Sequence, residues 1–463
     1  MFKDLNKYFK PLSYGLVLFL ILIGAYKINM HSHVFTTLIV SFLLFVSQGL
    51  KKQQGIKFNY VEKALFLFLI FFNCSFLFKS SPFGFKELVG YNLGGLVYFA
   101  FANLQKFKLQ VPLHKVICRL ISIALIVLVF LQIEGGMHAR VAPFFMGEFV
   151  YSNYPNALAS FLLLFIPMYF LQFSWGKSKT LLDKVLLSGL LVTFFLTWSR
   201  GAFFAFIIML AMMTGFLFIY RKFFTKLWKV LTIAAGTLLV TLLLANTLHE
   251  LSPYAYEPEQ RITSQDLSSN RSLVERFDFF ESAIQMSKTK PIFGYGSGSF
   301  PYTQPQFQTK LLANSDHPHN VVLKLAAENG IPAAILFVGF LLLAFFSSLK
   351  HFTEIKESER LRYVVLLAAT TGFVLHNMVD YNLNFIGLKI LFFAFIGLTQ
   401  NYNIFHNSEF TERLSFYIND KALRAIKLYF LCLPVILFVL TTLQAVGYYQ
   451  IKKIEADPNL TSK

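Results

Sequence analysis

Residues 315–349 read Ser315-Asp316-His317-Pro318-His319-Asn320, then VVLKLAAENG over 321–330, then IPAAILFVGFLLLAFFSSL over 331–349. A polar passage holding two histidines gives way in one step to an uncharged apolar run. That run has the length of a bilayer-spanning helix, which needs about 20 apolar residues. The polar side belongs to a longer passage, residues 248–330, which opens after an apolar run ending near Thr247. It is the only long polar stretch in the sequence. It carries Arg261, Arg271, Arg276, the glycine cluster Gly294-Tyr295-Gly296-Ser297-Gly298 and both histidines.

The rest of the 463 residues repeats the apolar half of this pattern. The composition is 56% apolar and 14% charged, with 56 phenylalanines. Spanning helices are expected near 12–29, 34–50, 61–78, 88–104, 115–133, 156–175, 182–198, 201–220, 228–247, 331–349, 361–379, 384–400 and 426–446. That is an all-α, polytopic integral membrane protein of about 12 or 13 transmembrane helices. The run at 12–28 has no small-residue cleavage site after it, so it reads as a first spanning helix and not as a cleavable signal peptide. Cys74, Cys118 and Cys432 lie inside apolar runs and form neither a disulfide framework nor a metal-ligand spacing. The net charge of +18 would suggest nucleic acid in a soluble protein. Here the basic residues sit in short loops between apolar runs, which points to membrane orientation and excludes a nucleic-acid partner.

Those loops set the expected orientation. With Lys3, Lys7 and Lys10 in the cytoplasm, the even-numbered crossings return to Lys- and Arg-rich loops, among them 51–57, 106–115, 221–229, 350–362 and 413–427. The positive-inside rule then places residues 134–155, Ser199-Arg200-Gly201, the 248–330 loop and Asp380-Tyr381-Asn382 on the outer face. Tyr154-Pro155-Asn156 reads as a helix start with proline in the first turn. Ser199-Arg200-Gly201 reads as a tight hairpin, with Gly201 supplying backbone freedom. Inside the large loop, Ser272-Leu273-Val274-Glu275 fits a capping box. Leu273, Phe277, Phe280 and Ile284 follow at helical spacing, and Pro291 ends the segment. A second helix is expected from Ser315 or Asp316 through His319 to Glu328, with Gly330 and Pro332 turning the chain into the next span.

Several residues bear chemistry, and each admits a plain structural reading as well. His319 is a candidate proton acceptor, or a histidine capping a helix at the membrane surface. His317 stands beside it; the i,i+2 spacing without cysteine is a poor zinc pattern, so no metal is expected. Arg200 lies between two spanning segments, where arginine either faces a wet cavity or snorkels to lipid phosphates. Arg271 and Arg276, five residues apart, point to different helix faces, and Arg276 flanks Phe280. With Arg140 these guanidinium groups suit a phosphate or pyrophosphate, whose oxygens the planar fork holds in pairs. The glycine cluster reads as a tight turn or as an amide cradle for an anion, without the strand-turn-helix context of a nucleotide site. Asp380 is a functional acid near the membrane, or an exposed carboxylate at a helix end.

These motifs together resemble the O-antigen ligase and polymerase family of bacterial membrane glycosyltransferases. Thr197-Trp198-Ser199-Arg200-Gly201-Ala202 resembles the family's Ser-Arg-Gly turn. Arg276 with Phe280, then Pro291-Ile292-Phe293-Gly294-Tyr295-Gly296, is similar to its arginine-helix-glycine block. His319-Asn320 followed by Gly330 resembles its histidine motif, with Ala333 in place of the closing glycine. Asn153-Tyr154-Pro155-Asn156-Ala157-Leu158-Ala159 resembles its helix entrance. The resemblance covers about 134–400 and divides the chain into N-terminal helices (1–133), a ligase-like catalytic core (134–400) and a C-terminal part (401–463). The segment at 426–446 departs from the family's usual layout.

The resemblance implies a GT-C-like fold in the bacterial inner membrane, N-terminus in the cytoplasm, and a transfer that needs no cofactor or metal. A glycan on a polyprenyl-pyrophosphate carrier would pass to an acceptor hydroxyl on a lipid A core, a growing polysaccharide or a protein. His319, Arg276 and Arg200 would be catalytic. Arg271, His317, Arg140, Asn156 and Asp380 would bind substrate. A transporter or flippase for a lipid-linked or anionic substrate is the alternative; it predicts mid-membrane charges and related halves, which the sequence does not display.

Overall fold

The computed structural model describes residues 59–79, 81, 84–102, 111–134, 140–141, 154–174, 181–219, 271–309 and 314–401, with a few positions between 236 and 243. Among them every regular element is helical. In chain order the α-helices are α1 (Tyr60–Phe78), α2 (Phe85–Ala102), α3 (Val111–Glu134), α4 (Pro155–Ser174), α5 (Leu181–Leu196), α6 (Arg200–Ile219), α7 (Arg271–Thr289), α8 (Phe300–Thr303), α9 (Val321–Asn329), α10 (Ile331–His351), α11 (Glu357–His376) and α12 (Ile386–Thr399). The expected spans at 12–29, 34–50 and 426–446, and most of 228–247, lie outside the described residues, as does Arg261. Tyr60–Phe78 and Ile331–Lys350 are long and apolar enough to cross a membrane on their own, and Pro155–Tyr169, Arg200–Phe216 and Ile386–Thr399 are shorter apolar stretches. Described residues whose regular elements are all helical, with such helices among them, are consistent with a membrane protein.

Two packed groups carry the site. In one, α2 lies against α12 and α1 against α10. A side-chain methyl at Gly94 would stand 2.4 Å from the Phe393 ring, and one at Gly397 2.6 Å from the Tyr98 carbonyl oxygen. Small residues at such crossings let helix backbones close on each other. The space beside them is filled by rings: Phe68 packs on Phe337 at 5.2 Å and on Tyr91 at 5.4 Å. In the other group, α11 lies between α4 and α6. Arg119 of α3 pairs with the buried Asp183 of α5 through two bonds, 2.7 and 3.0 Å, a paired arrangement that buried charge requires.

The polar segment 271–330 folds as α7, α8 and α9 packed together, with a small core of Phe279, Ala283, Met286, Phe300 and Ala327. Two local expectations need correction here. α7 begins at Arg271, so Ser272 sits in its first turn and not at its cap. On α7, Phe277 is 69% and Ile284 40% exposed, while Phe279, Ala283 and Met286 are buried on the neighbouring face. α9 starts at Val321, not at Ser315 or Asp316, because Asn320 caps it by accepting from the Leu323 amide at 2.9 Å. His319 therefore precedes the helix. The far end agrees with the expected bend: Gly330 at φ 94 closes α9 and opens α10, with Pro332 in the first turn.

The glycine cluster is a tight turn over the end of α9. Gly294, Gly296 and Gly298 all have positive φ. Its amides do cradle an anion, but the anion is the protein's own. The Gly298 and Phe300 amides donate to the two Glu328 carboxylate oxygens at 2.9 and 3.0 Å, and Gly296 N–H donates to the Glu328 carbonyl at 2.7 Å.

Candidate active site

The residues that build the site come from four distant places. α5 ends at Leu196, and the chain reverses through Thr197-Trp198-Ser199 into α6, whose first residue is Arg200. The left-handed residue of this hairpin is Trp198, at φ 49. Gly201 is helical, and its role is proximity: a methyl there would lie 2.8 Å from Val379 Cγ2 and 3.2 Å from the His376 ring. The expected backbone freedom of Gly201 is thus corrected to a close approach between α6 and the end of α11. Arg140 braces the hairpin by donating from Nε to the Thr197 carbonyl at 2.7 Å. It also donates to Asn156 Oδ1 at 2.6 Å, in the first turn of α4 behind Pro155.

These groups line one polar cleft, with Arg140, Asn156, Ser199, Arg200, Arg276 and Asp380 around it and His376 in its wall. Three guanidinium groups meet one carboxylate, and the start of α6 adds the positive end of a helix dipole. The cleft therefore favours an anion with several oxygens. His376 was not singled out from sequence. It is held between Ser160 Oγ, 2.7 Å from Nδ1, and Ser199 Oγ, 3.3 Å from Nε2. Those partners lie 216 and 177 residues away, beyond the reach of any local pattern.

Asp380 is the hub. Its Oδ2 accepts from Asn156 Nδ2 and stands 3.9 Å from the Arg276 guanidinium. Its Oδ1 accepts from His319 Nδ1 and from the Tyr381 amide, each at 2.8 Å. Burial would push this carboxyl up, but the His319 hydrogen bond and charge, followed by Arg276, hold it well below the usual carboxylate range. An ionised carboxylate only accepts, so the proton between the two sits on His319 Nδ1, and when the ring is neutral Nε2 is its basic nitrogen. His319 lies across the Asp380 carboxylate from the arginines. Its Nε2 has Ser315 Oγ at 3.4 Å, and its ring lies parallel to Phe279 at 5.9 Å.

The loop that carries His319 is docked on the end of α11. Asn320 Nδ2 donates to the Met378 carbonyl at 2.8 Å, and Val321 N–H donates to the Asn377 carbonyl at 3.0 Å. His319 itself is left-handed, φ 51. For a residue with a Cβ that conformation costs about 1–2 kcal/mol, and such strain collects at working sites. His317 is buried, its ring 4.6 Å from that of His319 and 5.3 Å from Tyr381. Ligand atoms of His317, His319 and Asp380 fall within 4.8 Å of one another, a spacing that a metal ion could bridge. In the arrangement present, Asp380 Oδ1 and His319 Nδ1 already bond each other, so a cation would have to take the place of that proton.

Of the residues expected at the site, Arg140, Asn156, Arg200, Arg276 and Asp380 share the cleft, and His319 joins them through Asp380. His317 is a wall behind His319. Arg271 opens α7, five residues before Arg276.

Residues 185–338 match the family described as O-antigen ligase. The matched stretch is about a third of the chain. It holds Arg200, Arg276 and His319, while Arg140, Asn156 and Asp380 lie outside the matched residues. A second similarity, 25% identity over 206 residues, is to a protein of Haemophilus influenzae described only as uncharacterized. It covers 43% of this chain and 50% of that protein, so the chain spans about half the length of the curated relative it matches.

Proposed function

We propose that the cleft is the active centre of a membrane glycan transferase. A glycan carried on a polyprenyl pyrophosphate passes to an acceptor hydroxyl at the outer face of the bacterial inner membrane. The observation that carries this reading is Asp380, which holds a histidine on one carboxylate oxygen and faces an arginine-lined cleft with the other.

The chemistry divides across Asp380. The donor pyrophosphate lies among Arg276, Arg200 and the start of α6. The acceptor hydroxyl reaches His319 Nε2 from the Ser315 side. Nε2 takes the hydroxyl proton, the oxygen attacks the anomeric carbon, and the bond from that carbon to the pyrophosphate oxygen breaks. The polyprenyl pyrophosphate leaves with the negative charge, which the guanidinium groups stabilise. Asp380 stabilises the imidazolium formed at His319. Arg140 and Asn156 hold Asp380 and the hairpin in place. Bond energy in the donor drives the step, and these residues supply every role without a metal. The catalytic core is residues 134–400, oriented with the N-terminus in the cytoplasm. The acceptor is a lipid A core, a growing polysaccharide or a protein hydroxyl.

The test is transfer by the purified protein from a polyprenyl-pyrophosphate glycan, with and without chelator. His319→Ala and Arg276→Ala are expected to lose about 100-fold or more in kcat, and EDTA to change nothing. Full activity in both variants overturns the proposal. Loss of activity with EDTA moves His317, His319 and Asp380 to a metal site.

A further inference from the structure

Behind the dyad lies a second set of charges that the proposed reaction does not use. Glu87, in the first turn of α2, meets Lys389 of α12 at 2.6 Å and Lys324 of α9 at 3.9 Å. Lys324 pairs in turn with Glu328 at 2.8 Å. All four side chains are buried. Two acids and two lysines balance, yet buried ion pairs contribute little net stability once desolvation is counted. What they touch is more telling than their count.

The Tyr381 hydroxyl donates into this set, 3.0 Å from each oxygen of Glu87. Burial, then the Glu87 charge, hold that hydroxyl well above its ordinary value, so it keeps its proton and remains a donor. At its other end Tyr381 is part of the active centre. It follows Asp380 directly, and its amide donates to the same Oδ1 that holds His319. Its ring supports His317 at 5.3 Å and lies beneath Lys324 Nζ at 5.1 Å. Lys324 stands one turn into the helix that follows His319. Glu87 thus grips both halves of the dyad: Asp380 through Tyr381, and the His319 loop through Tyr381 and Lys324.

We infer that Tyr381, anchored by Glu87, is a positioning residue for the transfer reaction, fixing the Asp380 carboxylate and the floor of the His317-Pro318-His319 loop so that His319 is aimed. The inference rests on the His319–Asp380 reading above. It assigns a part in the reaction to α2, which lies outside both the O-antigen ligase match and the expected 134–400 core.

Tyr381→Phe tests it, since it removes only the hydroxyl and leaves every charge paired. A base displaced by a fraction of an ångström loses rate and not affinity. The expected result is a fall of about tenfold in kcat, with unchanged donor KM and unchanged thermal unfolding in detergent. A double-mutant cycle with Asp380→Ala supplies the decisive reading: Tyr381→Phe should cost nothing further once Asp380 is gone. If Tyr381→Phe does not fold, Glu87→Leu with Lys389→Met removes the accepting oxygens and their counter-charge together, leaves Lys324 with Glu328, and should give the same non-additive loss. A wild-type rate in Asp380→Ala overturns the dyad reading, and the role of Tyr381 with it. A slow Asp380→Ala beside a Tyr381→Phe of wild-type kcat, or beside a loss that adds in the double variant, overturns the role of Tyr381 alone.

Discussion

Replacing Asp380 with asparagine keeps the shape of the side chain and removes its charge. Four groups point at this carboxylate: His319 Nδ1 and the Tyr381 amide at Oδ1, and Asn156 Nδ2 and Arg276 at Oδ2. An amide offers one accepting oxygen. Turned toward His319 and Tyr381, it leaves its NH2 facing the NH2 of Asn156 and the Arg276 guanidinium. Asn156 cannot invert to help, because its own oxygen already takes Arg140 at 2.6 Å. One buried donor set against another costs about 1–3 kcal/mol, and thermal unfolding of Asp380→Asn should show a loss in that range. The kinetic cost is separate. The variant lacks the negative charge opposite the imidazolium that forms as His319 takes a proton. Positioned acid–base catalysis is worth about 100- to 10,000-fold, or about 2.7–5.5 kcal/mol at 1.36 kcal/mol per decade. Single-turnover transfer from a polyprenyl-pyrophosphate glycan should therefore slow by at least about 100-fold, with little change in donor affinity. A variant that is less stable yet transfers within about threefold of wild type would refute the reasoning and leave Asp380 a structural hub.

Two further outcomes follow, one from a buried histidine and one from a glycine's backbone. Burial, followed by His319, holds the His317 imidazole well below its ordinary value. The unfolded chain therefore binds the extra proton first, and stability is lost as pH falls below about 6.5, at up to about 1.4 kcal/mol per pH unit. Above about 7 the effect is absent, so His317→Phe should flatten the melting temperature between roughly pH 7 and 5; curves parallel to wild type would contradict this. Gly330→Ala would place a methyl 1.9 Å from the Ile292 carbonyl oxygen at a backbone φ of 94. That strain alone costs about 1–3 kcal/mol and the overlap adds to it, so the variant should be recovered unfolded or at sharply reduced yield; normal yield and melting would show that the α9–α10 bend is softer than drawn.

Much of the scaffold was legible because the bilayer imposes one simple pattern. Each expected apolar run within the described residues is a helix, and Pro155, Gly330 and Pro332 end or begin helices where their backbone chemistry says they should. The meeting of Arg140, Arg200, Arg276 and Asp380 was foreshadowed by counting lysines and arginines in loops. What the sequence hid is pairing. Asn156 and Asp380 are 224 residues apart, and Glu87 and Lys389 are 302 apart, so no periodicity links them. Backbone detail was hidden as well. A glycine draws attention as the flexible residue of a turn, yet the left-handed positions of this site belong to Trp198 and His319. Asn320, which looked like part of a helix, instead caps it and leaves His319 outside.

The span between Asn156 and Asp380 also dictates an order of events during synthesis. A chain emerging from the ribosome delivers Arg140 and Asn156 first, then the Trp198 hairpin, then Arg276 and His319, and Asp380 last. Contacts between such distant residues form only after long loops have closed. Until residue 380 has been made and inserted, the Asn156 amide has no carboxylate to hold and His319 has nothing to orient it. Truncated chains ending before Asp380 would hold the whole stretch that matches the O-antigen ligase family and still lack the His319–Asp380 pair. If His319 and Asp380 act as proposed, the nascent protein is inactive through most of its own synthesis.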